Sequence, residues 1–275
     1  MKLVRILLPI DQDGTSEACA EAAFTLAMRF GVRLEILHPC LAAWQRLPYA
    51  SELSPFYFQE LINTGGEQVT FEKGAAKAWC DKALEVHPEA KTDFASIEGL
   101  IAPTMAMRAR VADFAVVPSI EAGENAFWGS VRDAALFHSG RPMLAVPKGS
   151  GNFGETVVVA WKDSAESTRA VAAASPFFAA AKRVRLITVA EGDEEDQSLS
   201  AMADYLTLAG LDVDVAKIEQ GTREIGETLL EAASAAKNSM LVMGAYGHQR
   251  WTEWAFGGVT QHVLGNATMP VLMMH

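Results

Sequence analysis

Six residues, Gly244, Gly247, Gly257, Gly258, Val259 and Thr260, have the types and spacing to hold a phosphate through main-chain amides. An apolar run, Leu241-Val242-Met243, leads into Gly244-Ala245-Tyr246-Gly247, and nine residues later Gly257-Gly258-Val259-Thr260 opens an apolar-periodic segment. Glycine lets a chain turn and approach a ligand with no Cβ in the way. Backbone N–H groups at a helix start have no intrahelical partner. The partial positive charge there favours a phosphate by ~0.3–1 kcal/mol at exposed sites. Thr260 adds a hydroxyl donor. His248 and Arg250 lie in the intervening loop and are of a kind that reaches phosphate oxygens, though a solvated loop position explains them as well. Trp251, Trp254 and Phe256 can stack on a base, but such a cluster more often packs against a neighbouring domain.

Two more segments belong to the same chemistry. Lys162-Asp163-Ser164 follows the apolar run Val157-Val158-Val159, and Val189 closes the next such run. Asp163 cannot hold a phosphate, but a carboxylate there binds ribose hydroxyls or a divalent cation bridging phosphates. No catalytic constellation appears. There is no G-x-S-x-G elbow, no G-x4-G-K-[S/T] loop, no HExxH, and no G-x-G-x-x-G after the first strand of either half. The expectation is therefore a binding protein rather than an enzyme. His38, His87, His138, His262 and His275 lack metal-ligand spacing, and surface or helix-end positions account for them. Asp11 and Asp13, just before Thr15 and Ser16, read as caps for the helix that follows. The three cysteines, Cys19, Cys40 and Cys80, show no CxxC spacing and read as buried free thiols.

These residues need a framework of parallel strands. In the second half, strands are expected near 156–161, 184–189, 212–218, 239–243 and 270–274, with helices near 165–180, 196–209, 223–236 and 258–266. The strand runs are almost continuously Val, Ile and Leu, as in sheets covered on both faces. Alternation of strand and helix points to a parallel sheet with right-handed crossovers. The first half repeats the plan, with strands near 4–10, 33–38, 92–97, 113–118 and 142–146. Its region 41–66, rich in Pro, Gly and aromatic residues, reads as a loop with one short helix. Four anchors recur in order. Ile6-Leu7-Leu8 answers Val157-Val158-Val159, Val32-Arg33-Leu34 answers Val184-Arg185-Leu186, Ile97-Glu98-Gly99 answers Ile218-Glu219-Gln220-Gly221, and Gly129-Ser130-Val131 answers Gly257-Gly258-Val259. This is an internal duplication. It divides the chain into residues 1–148 and 153–275, joined by a polar, glycine-rich linker. In the first copy Pro118 and Glu121 replace the turn glycines. Pro118 has no N–H, and Glu121 brings negative charge, so this half is not expected to bind a nucleotide in the same way.

The chain has 275 residues, half of them hydrophobic, and a formal charge of −11. That length holds two ordinary cores. Both halves are acidic, which disfavours nucleic acid and anionic membrane as partners. No apolar segment is long enough to span a membrane. The basic start runs directly into Asp11 and lacks a signal-peptide pattern. A cytoplasmic location is expected.

Gly244-x2-Gly247-x9-Gly257 resembles the ATP-binding signature of the universal stress protein (UspA-like) family, G-x2-G-x9-G-[S/T]. The Val259-Thr260 continuation, the acidic residue after the first strand and the terminal Pro-Val-Leu strand are similar to that family as well. The resemblance covers the chain as two tandem family domains. It implies two tandem Rossmann-like α/β domains, each a five-stranded parallel sheet flanked by helices, acting in stress response. It further implies ATP or AMP, with Mg²⁺ accompanying the nucleotide, bound in the second half. By position, Asp163 and Val189 would border the adenosine. Gly244, Gly247, Gly257, Gly258, Val259 and Thr260, with His248 nearby, would surround the phosphates. Gly258 stands where Ser or Thr is usual, which removes one hydroxyl contact and keeps the amide. The family's terminal strands pair between domains, so an internal pseudo-dimer of the two halves is expected, and a homodimer is a further expectation. A scaffold that binds no nucleotide and a slow Mg-dependent ATPase remain alternative readings.

Overall fold

Short runs of Val, Ile and Leu form the strands, and Ala-rich amphipathic segments form the helices between them. The computed structural model describes residues 2–46, 55–121, 123–190, 197–245 and 258–275. The first half contains β1 (Arg5–Pro9), α1 (Glu17–Phe30), β2 (Arg33–Cys40), a 3-10 turn (Ala43–Arg46), α2 (Pro55–Val86), β3 (Thr92–Glu98), α3 (Ile101–Ala109), β4 (Phe114–Pro118), α4 (Ala126–Phe137) and β5 (Met143–Val146). The second half contains β6 (Thr156–Ala160), α5 (Ala165–Ala173), α6 (Ser175–Phe178), β7 (Arg183–Ala190), α7 (Gln197–Leu208), β8 (Val213–Glu219), α8 (Ile225–Ser234), β9 (Ser239–Gly244), α9 (Gly258–Asn266) and β10 (Val271–Met274).

The chain packs into two compact units. One comprises Met1–Val117 with Glu124–Arg141, the other Pro118–Gly123 with Pro142–His275. In the first unit the strand order is β3-β2-β1-β4, all parallel. In the second it is β5-β10-β9-β6-β7-β8, parallel except for β5. Strand β5 runs antiparallel to β10, with Leu144 opposite Leu272. The preceding segment joins the same unit through Ser119 N–H to Val146 O (3.0 Å) and Ile120 N–H to Leu264 O (3.2 Å). Parallel central strands are inaccessible on both faces, as the unbroken apolar runs require, and Ile6, Leu7, Leu8, Val157 and Val158 are fully buried.

Local signals set the helix ends. Ser16 caps α1 by accepting from Cys19 N–H (3.3 Å), and Gly31 ends it in the left-handed region at φ +64°. Ser16 rather than Asp11 or Asp13 is therefore the cap. Region 41–66 departs from expectation. Ala43–Arg46 forms a short 3-10 turn and 55–66 belongs to a helix of 32 residues starting at Pro55, while 47–54 lies outside the described residues. Proline is tolerated in a first helical turn, where its missing N–H would have no partner. Gly65 lies inside α2, where a Cβ would meet Ala43 backbone at 3.2 Å, so this glycine permits close packing rather than a turn. All three cysteines are free and buried. No helix among the described residues is long and apolar enough to cross a membrane.

Candidate functional site

The ends of three parallel strands bring the second-half residues together. Ala160 of β6 pairs with Ile187 of β7 and with Met243 of β9, so the segments that follow leave one edge of the sheet side by side. Trp161 extends the ladder through its N–H to Ile187 O (2.8 Å), and its Nε1 donates to Ser198 Oγ on α7 (3.2 Å). That anchors the turn and leaves Lys162 and Asp163 exposed. Ser164 then caps α5, accepting from Ser167 N–H (3.2 Å). Half-buried Val189 lies near the end of β7.

Gly244 closes β9, and its missing Cβ serves a packing purpose. A Cβ there would sit 2.5 Å from Ser167 N and 2.7 Å from the Glu166 carbonyl carbon. The glycine lets the strand end press onto the first turn of α5. Gly258 begins α9, is exposed, and has nothing within 4 Å of where a Cβ would be. Val259 is half-buried, and Thr260 is 4% exposed and packs inward. Glu166 puts a carboxylate beside this edge. Its own backbone N–H and the Arg169 guanidinium, 2.7 Å away, hold its pKa below the usual value. Gly247, His248 and Gly257 lie outside the described residues, as do Arg250, Trp251, Trp254 and Phe256. The structure thus brings Asp163, Val189 and Gly244 to one sheet edge, and Gly258 begins the next described element after β9.

The equivalent edge of the first unit holds a crevice of about 640 Å³. Beyond β1 the chain turns tightly. Asp11 N–H donates to Gly14 O (2.9 Å), Gly14 N–H to Asp11 O (3.1 Å), and Asp13 N–H to Asp11 Oδ1 (2.9 Å). Gly14 adopts φ +97°, and a Cβ there would fall 2.1 Å from Trp79 Nε1 of α2. Burial pushes the Asp11 carboxyl pKa up, and neighbouring Asp13 adds to that rise. His38 lines the crevice from β2 at 2% exposure, which corrects its expected surface position. The continuous apolar face of β2 carries it inward, and a His within such a run was the available signal. Its Nδ1 lies 3.0 Å from Ser96 Oγ, and burial lowers its pKa. Arg46 and Glu72 form a two-point ion pair at the rim, with Nη1 to Oε1 at 2.9 Å and Nη2 to Oε2 at 2.5 Å. Asn125 caps α4 by accepting from Phe127 N–H (3.1 Å). No group of three or more His, Cys, Asp or Glu suited to a metal occurs among the described residues.

Residues 155–275 match the model of the Universal stress protein family. Among solved structures, the chain is similar to a universal stress protein from Archaeoglobus fulgidus DSM 4304, with 16% identity, TM-score 0.66, and coverage of 98% of this chain and 97% of that one. It also resembles a functionally unknown protein, PA1789, from Pseudomonas aeruginosa PAO1, with 12% identity, TM-score 0.60, and 99% and 92% coverage. A third likeness is a putative universal stress protein from Pseudomonas aeruginosa UCBPP-PA14, with 12% identity, TM-score 0.58, and 99% and 93% coverage. At these identities the likeness speaks for the fold. A search of curated proteins finds no match.

Proposed function

With its second half, residues 155–275, in the universal stress protein family, we propose that this chain binds an adenine nucleotide, ATP or AMP, at the carboxyl edge of β6, β7 and β9. The observation that carries the reading is the start of α9. Gly258 is exposed with open space around it, and the first amides of any helix lack intrahelical partners. Each hydrogen bond from such an amide to a charged phosphate is worth about 1.5–3 kcal/mol. Asp163, exposed in the turn after β6, would meet a ribose or a Mg²⁺ carried by the nucleotide. The protein acts by binding, in the cytoplasm and under stress, rather than by turnover.

The test is calorimetric titration of ATP, with and without Mg²⁺, into the full chain and into Gly258→Glu. The substituted carboxylate has room to stand at the helix start, so the fold survives while phosphate is repelled. ATP affinity is expected to fall by at least about tenfold, which corresponds to ~1.4 kcal/mol. Unchanged affinity in both Gly258→Glu and Gly247→Glu would remove the site. Absence of any ATP binding by the unaltered protein would favour the scaffold reading. Phosphate release that Asp163→Asn abolishes would favour the ATPase.

A further inference from the structure

The turn that carries Asp163 is short and is fixed at both ends. Trp161 holds its start, with its N–H on Ile187 O of β7 (2.8 Å), and Ser164 holds its finish as the cap of α5. Lys162 and Asp163 between them are exposed, so the backbone on either side, rather than packing, sets where the carboxylate stands. The indole does more than fill space. It is 7% exposed, and its Nε1 donates to Ser198 Oγ (3.2 Å) in the first turn of α7. Tryptophan has one polar atom, a donor, and burial demands a partner for it.

The first copy shows that the fold has no need of this donor. Ile10 occupies the position matching Trp161, is fully buried, and makes the same backbone bond, to Leu37 O (2.8 Å). An apolar side chain there suffices for packing and for the ladder. The turn after Ile10 is closed on itself by the paired bonds between Asp11 and Gly14. The second copy instead ties its turn to α7 through a side chain.

We propose that Trp161, held by Ser198, is a positioning residue for sugar recognition: it fixes the turn so that Asp163 accepts hydrogen bonds from the ribose hydroxyls. The proposal rests on the nucleotide reading above and names what this end of the site selects. A carboxylate distinguishes a ribose from a sugar without hydroxyls by accepting O–H hydrogen bonds, and such a group must be held to within about 0.5 Å by supporting contacts.

The test compares ATP, dideoxy-ATP lacking both ribose hydroxyls, and inorganic tripolyphosphate, each titrated by calorimetry into the full chain with Mg²⁺ present throughout. The unaltered protein is expected to prefer ATP over dideoxy-ATP by at least about tenfold. Asp163→Ala, at an exposed position, is expected to remove that preference. Trp161→Phe keeps a buried ring without the donor, and Ser198→Ala removes the acceptor. Both are expected to lose most of the preference while dideoxy-ATP and tripolyphosphate bind within about twofold of their original strength. Ser198→Thr, which keeps a hydroxyl, is expected to retain the preference. Trp161→Phe is expected to add nothing once Asp163 is alanine, as required of residues acting through one contact. In ligand-free protein, amides 162–164 are expected to exchange faster in Ser198→Ala than in the unaltered chain. The proposal is overturned if the preference survives Trp161→Phe and Ser198→Ala in folded protein, if all three ligands weaken alike, or if exchange of the turn is unchanged. ATP binding with no sugar preference in the unaltered protein overturns it and leaves the nucleotide reading standing. Absence of ATP binding overturns both.

Discussion

Gly14 and Asp11 sit in one turn and respond differently to substitution. Gly14→Ala combines a left-handed φ with a Cβ inside the Trp79 indole, and is expected to cost roughly 2–4 kcal/mol in urea unfolding. Asp11 carries a pH signature. Burial penalises its charged form only in the folded state, so the ionised carboxylate destabilises the fold at neutral pH. As pH falls through the raised pKa toward the ordinary range of a carboxylate, the folded state takes up the proton first and the penalty fades. Asp11→Asn is therefore expected to raise the thermal midpoint at neutral pH, with the gain shrinking in acid, as scanning calorimetry across pH would show. Cys40 and Cys80, whose pKa values burial raises, should react with alkylating reagents only as fast as the fold opens. The free, buried state of the thiols could be read from spacing and type. The hydrogen-bond partner of His38 could not, because Ser96 comes from a strand distant in sequence.

At the scale of elements, strands were more legible than helix contacts. The expected second-half strands match β6 to β10 within a residue or so at each end, because runs covered on both faces leave an unmistakable apolar record. The exception is α2, whose glycines and leading proline look like loop punctuation. They are tolerated because Gly65 packs on Ala43 and because the Arg46–Glu72 pair fastens the 3-10 turn to the helix. A second unannounced fastening is Glu35. This carboxylate is 1% exposed in the middle of β2 and is held by Arg5 of β1 at 3.1 Å and Arg108 of α3 at 2.5 Å. A charged residue inside an apolar run signalled a pair, but not its partners. Glu35→Ala leaves two partly exposed guanidinium groups unmatched, and is expected to destabilise by roughly 2–3 kcal/mol, below the fully buried limit. Glu35→Met is expected to lose less, since it refills the volume. The Gly244 contact belongs here too. Gly244→Ala should cost roughly 1–3 kcal/mol by pushing α5 away, a stability effect separate from any effect on nucleotide.

Across the whole molecule, the repeat was visible in sequence as four matched anchors, and the exchange of β5 onto β10 was expected from the family resemblance, whose terminal strands pair between domains. Periodicity marks Met143–Val146 as a strand of the first copy, and nothing in its composition reveals that it packs with the second unit. Pairing partners are set by tertiary context. A fragment of residues 153–275 lacks β5 and leaves the backbone edge of β10 open. It is expected to self-associate in light scattering, and a peptide of residues 142–148 is expected to return it to a monomer. A monomeric fragment with undiminished stability would contradict this. The same exchange bears on biosynthesis. Strand β5 ends at Val146 and its partner begins at Val271, so a ribosome must translate every residue between them before the two can meet. At ordinary elongation rates that interval is on the order of ten seconds. Throughout it the nascent polypeptide carries an apolar strand with one backbone edge unpaired, so chaperones and proteases have a defined window to act on this protein before its second half closes.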